Sequence, residues 1–450
     1  MATEPRTVAE VARALRARDT TSEAITERCL ARIAERNSSL NAFITILADD
    51  ARTQAREADR ERRSGHDRGP LHGVPVSLKD LIDLRGTRTT AASRVRQDHM
   101  AASDALVTAR LREAGAVFIG KTNLHEFALG TTNEDSAFGA VRHPLDPGRS
   151  PGGSSGGSAA SVLAEMAYAS IGTDTGGSIR IPSAACGLVG LKPGFGEIPL
   201  DGVVPLSTTL DHAGPICRSV EDAAIVYDVL RGAAPAVHAA RTGPMTLGVL
   251  RGYFTALLDP QVASAFEHAC GRLKDAGMTL EDVEIPHASD IAPAYLHIAL
   301  AEAAAYHAKT LESRAGDYTP NVRLRLEMGR YILAEDYVRA LHARDVLTRE
   351  TNTALRGRDG LLLPSMPVPA TKLGAATVRV GGSEEPVRSI TLRLTQLFNL
   401  TGHPAITLPC GRTSEGLPIG AQIAGHHGGT TALLDVALAF ERYLGPGTAC

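Results

Sequence analysis

Gly148-Arg-Ser-Pro-Gly-Gly-Ser-Ser-Gly-Gly-Ser-Ala-Ala160 and, after a mostly apolar run, Gly172-Thr-Asp-Thr-Gly-Gly-Ser-Ile-Arg180 are the stretches against which the rest of the chain is read. Each is a glycine-rich turn presenting a serine, Ser154 in the first and Ser178 in the second, 24 positions apart. Glycine admits φ > 0 and close backbone approach that a side chain would forbid. Such turns can hold a hydroxyl and several backbone N–H groups around one point. Donors converging where negative charge develops are what acyl transfer requires. A serine hydroxyl at its ordinary pKa is a weak nucleophile, however, and needs a base. The candidate base lies upstream, in Gly73-Val-Pro-Val-Ser-Leu-Lys79-Asp80. Lys79 closes a short β-prone run and so belongs at a strand end. Burial would pull its pKa down toward the working pH, where an amine can accept a proton.

Working outward, the 450 residues, 43% hydrophobic and 22% charged, describe an ordinary soluble globular chain with ample core. A formal net charge of −3 gives no reason to expect nucleic acid or an anionic membrane as partner. The N-terminus lacks the apolar segment of a signal peptide, and no run approaches the length of a membrane span. Cys29, Cys186, Cys217, Cys270, Cys410 and Cys450 are scattered singly. That suits a reducing cytoplasm better than a disulfide scaffold or a zinc site. With 4% aromatics and no tryptophan, an aromatic-rich carbohydrate or nucleic-acid surface is disfavoured. No metal or organic cofactor is called for.

Thr7-Val-Ala-Glu10 is a capping box ahead of an amphipathic helix, and Ile25, Cys29 and Ile33 mark a second. Residues 41–47 read as a strand and 49–63 as a charged, solvated helix. From Gly73 the pattern becomes short β-prone runs (74–78, 116–119, 167–172) divided by helices (a capped one over 103–114, another over 156–164). Helices follow over 219–230 and 261–276, and 292–355 is almost wholly helical. Strand character returns at 361–364 and 419–423. This alternation predicts an α/β fold with a mixed sheet. One domain over 1–450 is expected: an N-terminal helical part (1–65), a core (66–235 and 360–430) and a helical insertion (290–355).

Two generic motifs compete for the same residues. Gly115 to Thr122 fits the phosphate-loop pattern, but its four middle positions are apolar and β-prone, so they read as a strand rather than a loop. Gly152-Gly-Ser-Ser-Gly156 fits the nucleophile elbow of α/β-hydrolases, yet the preceding residues 143–151 contain three prolines and cannot be the required strand. His125-Glu126 lacks a second histidine for a zinc motif, and His426-His427 has no partner cluster.

Lys79 after its Gly-x-Pro strand, the serine-rich turn at Ser154, and Asp174-Thr-Gly-Gly-Ser178-Ile-Arg180 with Pro182 soon after occur in one order. Together they resemble the amidase signature family over most of the chain. The resemblance implies a central mixed, twisted sheet covered by helices on both sides. It also implies a triad: Ser178 as nucleophile, Ser154 in a cis peptide as bridge, and Lys79 as a base that is neutral at rest. An acyl-enzyme on Ser178 would be hydrolysed by water. The oxyanion hole would be the N–H groups of Thr175, Gly176, Gly177 and Ser178. Asp174 and Arg180 would brace the turn, and Ser155 would support the lysine. Segments 210–216 and 399–405 also resemble the family and are assigned no chemistry.

The expected partner is a small-molecule amide or carbamate, with no nucleic acid and no membrane; a homodimer stays open. A stand-alone hydrolase in the cytoplasm is favoured, with urethanase or ester cleavage as side chemistry. The alternative is the glutamine-hydrolysing component of a tRNA-dependent amidotransferase complex. In that branch an acid follows the segment matching Gln422-Ile-Ala-Gly425, where this chain has His426-His427. Tyr295, Leu296, Ile298, Tyr306, Tyr331, Ile332 and Tyr337 are read mainly as core. Where they line a channel, it should be apolar and suited to an uncharged substrate.

Overall fold

A computed structural model of the chain describes residues 4–444. Its strands are β1 (Phe43–Ile46), β2 (Pro75–Lys79), β3 (Val117–Thr122), β4 (Ala169–Asp174), β5 (Val189–Lys192), β6 (His212–Cys217) and β7 (Thr246–Leu250). They continue with β8 (Thr279–Val283), β9 (Gly360–Pro364), β10 (Thr377–Val380), β11 (Ser383–Pro386), β12 (Ala405–Arg412) and β13 (Pro418–Ala424). β10 and β11 form a separate hairpin, and the other 11 make one sheet in the order β1-β3-β2-β4-β6-β5-β12-β13-β9-β7-β8. The sheet is mixed. β2 is parallel to both β3 and β4, β7 to β8 and β9, and the middle of the sheet is antiparallel. Its strands are buried on both faces and covered by helices, as continuous runs such as Leu361-Leu-Leu363 require.

The local signals work where chemistry is local. Thr7 and Glu10 form the reciprocal capping box, and the helix Val8–Ala17 buries Val8, Val11 and Leu15. The helix expected from Ser103 begins later, at Leu106, with no side-chain cap. Asp104, beside it, is committed elsewhere: its carboxylate accepts from the Arg85 N–H at 2.7 Å and pairs with Arg112. The phosphate-loop pattern is a strand, since Val117 through Thr122 is fully buried β3. Lys121 there meets Asp80 at 2.8 Å, both with no exposed side-chain surface. A buried charge stripped of its partner is costly, so Lys121→Ala should lower unfolding free energy by about 3–5 kcal/mol. Urea denaturation followed by circular dichroism reads that loss directly.

The region read as almost wholly helical resolves into three helices, Ile291–Arg314, Pro320–Gly329 and Ala334–Leu355. Among the described residues no helix is long and apolar enough to cross a membrane.

Candidate active site

Ligand and catalytic sites of open α/β sheets gather at the carboxyl ends of parallel strands. Here β2 ends on Lys79 and its parallel neighbour β4 ends on Asp174. The turn carrying Ser154 leads directly into the helix Gly156–Leu163, and the turn carrying Ser178 into the helix Arg180–Cys186. Both hydroxyls thus sit beside helix N-termini, where the peptide dipoles favour developing negative charge. Gly157 lets the first turn approach: a Cβ there would lie 2.3 Å from the Asn123 carbonyl oxygen.

Lys79 Nζ lies 2.7 Å from Ser154 Oγ and 2.8 Å from Thr173 Oγ1. The amine and both hydroxyl-bearing residues are buried. Burial lowers the lysine pKa to about 7, against the opposing charges of Asp174 and Asp211. At neutral pH a large fraction of the amine is therefore uncharged. The Gly153–Ser154 peptide is cis. Ser178 belongs to the second turn and retains 4% of its surface. The Ser178 carbonyl accepts the Ser155 N–H at 3.2 Å, so the two turns are joined through their backbones. Ser155 Oγ reaches the Thr173 carbonyl at 3.2 Å. It supports the strand that carries the lysine's second partner, and Thr173 is a residue with nothing in its own stretch of chain to single it out.

Asp174 and Arg180 form a buried, two-pronged ion pair with contacts of 2.9 and 3.1 Å. Burial opposes ionisation of Asp174, but Arg180 overcomes it and holds the carboxyl well below the usual range. Its Oδ2 also accepts the Ile179 N–H at 3.1 Å. Arg180 reaches on to Asn399 at 2.7 Å and Gln422 at 3.0 Å, tying the turn to distant parts of the chain. Segment 399–405, which carries no chemistry of its own, thus supplies a brace for it.

Three further groups shape the Thr175–Ser178 turn. Thr175 Oγ1 donates to Asp211 at 2.5 Å. Burial pushes the Asp211 carboxyl up to about 6, against the hydrogen bonds it accepts from Thr175, Leu206 and Ser207. Thr395 donates to the Gly176 carbonyl. Among the described residues, none of the four backbone N–H groups at 175–178 has a hydrogen-bond acceptor. Four free donors on one tight turn can receive an oxyanion. Gly177 has φ +137°, and a Cβ there would fall 2.2 Å from Thr395 Oγ1. Gly177→Ala is expected to misaim the donors and cut kcat by about 10²–10³-fold, the size of losing one oxyanion donor. Steady-state kinetics beside an unchanged circular dichroism spectrum check this.

The side chains expected to wall a channel divide differently. Tyr295 and Ile298 are core, whereas Tyr306 and Tyr331 are exposed. The cavity next to the turns, about 490 Å³, is lined not by that apolar set but by His125, Thr131, Thr132, Glu134, Asp135, Asn321, Arg325 and Arg388, among others. It adjoins the first turn: a Cβ on Gly153 would lie 3.0 Å from the Thr131 carbonyl carbon and 3.1 Å from the Thr132 nitrogen. The apolar pocket is therefore corrected to a charged one. The channel-forming helices turn their apolar faces into the core and leave Arg325 at the cavity. His426 and His427 bond the backbone carbonyls of Arg358 and Thr401.

Comparison with known proteins accords with this geometry. The sequence profile of the family described as Amidase matches residues 24–434. An amidase of Pseudomonas putida is 39% identical over 452 residues, covering 97% of this chain and 95% of that protein. The glutamyl-tRNA(Gln) amidotransferase component of the GatA type from Roseiflexus sp. (strain RS-1) is 38% identical, covering 97% and 96%. A crystal structure of an amidase superposes with a TM-score of 0.93 at 36% identity, covering 98% of this chain and all of that one. The chain belongs to the amidase family.

Proposed function

We propose that this protein hydrolyses a linear amide through an acyl-enzyme on Ser178, with Lys79 and Ser154 as the proton relay. Membership of the amidase family supports hydrolysis of a carbon–nitrogen bond. The observation that carries the relay is a buried amine with a pKa of about 7 lying 2.7 Å from Ser154 Oγ. In the acylation step Ser154 gives its proton to Lys79 and takes the proton of Ser178 as Ser178 Oγ attacks the carbonyl carbon. The oxyanion that forms rests on the N–H groups of Thr175, Gly176, Gly177 and Ser178. Collapse breaks the carbon–nitrogen bond, and the reversed relay protonates the leaving amine. Water, deprotonated along the same path, then releases the acid. Asp174 and Arg180 hold the donors in place; Ser155 holds Thr173. A carbamate or an ester differs only in the substituent on the acyl carbon and is accommodated by the same steps.

Rapid acid quench during turnover of a slowly deacylating substrate, followed by peptide mass spectrometry, tests this. The acyl mass should map to the peptide containing Ser178 and be absent in Ser178→Ala; an adduct on another residue would overturn the assignment.

A second reading is favoured by one observation, the near-equal identity to glutamyl-tRNA(Gln) amidotransferase components. In that reading the site hydrolyses glutamine within a complex. Turnover of simple amides by the isolated chain supports the first reading. Glutaminase activity that requires added partner proteins supports the second.

A further inference from the structure

The cavity beside the turns holds two guanidinium groups that, among the described residues, lack anionic partners. Arg388 lies on the helix Val387–Leu392, one turn before Thr391, whose hydroxyl meets that of Thr131 at 3.0 Å. Its Nε is buried without a hydrogen-bond partner. Arg325, from the helix Pro320–Gly329, donates Nη1 to the Leu129 carbonyl at 2.8 Å. Among the described residues neither arginine has a carboxylate within 4.0 Å. The two cations sense each other. Burial lowers the Arg325 pKa to about 10, and repulsion from Arg388 adds to that fall, with Asp135 opposing it.

The acids of the cavity are engaged elsewhere. Asp135 binds the Asn321 amide at 3.1 and 3.2 Å and lies 3.2 Å from His125 Nε2. Glu134 accepts the Gly374 N–H at 2.8 Å. Clustered cations withdrawn from water are costly unless an anion compensates them. A guanidinium presents donors in a planar fork that matches a carboxylate. The cavity also communicates with the reacting groups. Thr131 and Thr132 press on the Gly153–Ser154 peptide. Burial pushes the Tyr295 phenol up to about 12, and Arg388 is near enough to oppose that rise. Tyr295 is itself packed on Gly176.

We propose that the substrate is an anionic amide, the monoamide of a small dicarboxylic acid, whose free carboxylate is held between Arg388 and Arg325. This rests on the amide-hydrolase reading of the same site and names its substrate class. The acyl side of the substrate occupies the charged cavity, and the amide carbon lies on the turn at Ser178. Arg388 and Arg325 are specificity residues; the relay of protons does not pass through them.

The test compares glutaramate and succinamate with uncharged n-butyramide. Calorimetric titration of Ser178→Ala protein measures binding, and ammonia release by wild type measures turnover. Binding of glutaramate or succinamate at least tenfold tighter than n-butyramide is expected. Arg388→Gln should cut that preference tenfold or more, with Arg388→Lys intermediate because it keeps the charge and loses the fork. Arg325→Gln should act in the same direction. Equal binding of charged and neutral amides, or a preference untouched by Arg388→Gln, overturns the proposal. Turnover of neutral amides with no anion preference would sink this inference and leave the hydrolase reading intact. Anion-selective binding that depends on Arg388, with no turnover of any amide, would uphold the anion site and sink the hydrolase reading. Thermal melts of each variant distinguish a lost contact from a lost fold.

Discussion

Ser178→Ala should reduce kcat/KM for a chromogenic anilide by about 10⁴–10⁶-fold, the range seen when a serine nucleophile that acts as part of a unit is removed. The fold should survive. Ser178 sits on a loop between β4 and the helix Arg180–Cys186, and its backbone carbonyl, not its hydroxyl, joins the two turns. The residual rate would come from binding and from the N–H groups of the Thr175–Ser178 turn, which alanine leaves in place. A Ser178→Ala protein as active as wild type would remove the acyl-enzyme from the mechanism.

Lys79→Ala should cost about 10²–10⁴-fold, the usual yield of positioned acid–base catalysis. Lys79→Arg should be no better, because a guanidinium stays protonated at any pH at which the fold exists. The pH dependence follows from the direction of the lysine shift. The folded-state pKa is about 7, below the ordinary 10.5, so the catalytically useful neutral amine gains population as pH rises through 7 and is lost below it. In wild type, kcat/KM should therefore climb through neutrality and level off above it. In Lys79→Ala whatever activity remains should lose that limb. An unfolded Lys79→Ala protein would instead mark the lysine as structural. Its neutral state speaks against that outcome, since deleting an uncharged amine strands no buried counter-ion.

The sequence discloses this site unevenly. Lys79, Ser154 and Ser178 are legible because glycine-rich turns and a strand-ending lysine are local patterns with few other uses. Thr173, Asp211, Thr395 and Asn399 are not. Each meets the site through the tertiary fold, Arg180 to Asn399 across 219 positions, and nothing in its own neighbourhood announces that contact. The strands show the same division. β2, β3 and β4 declare themselves through β-branched runs, whereas β6, His212-Ala-Gly-Pro-Ile-Cys217, has neither alternation nor β-rich composition and is a strand because β4 and β5 flank it. The charged character of the cavity escapes a linear reading for a related reason. Arg325 and Arg388 look like surface charges on their helices, and only the packing of those helices turns both toward one space.

Every proton transfer proposed above depends on an amine that is uncharged near neutrality, and the chain has only six lysines to resolve. Nuclear magnetic resonance titration of protein labelled with ¹³C at lysine Cε, with the Lys79 signal assigned by its loss in Lys79→Ala, measures that state directly. The expected result is a Lys79 midpoint at about pH 7. A Lys79 resonance that stays in its protonated position until about pH 10, the ordinary range for lysine, would contradict it.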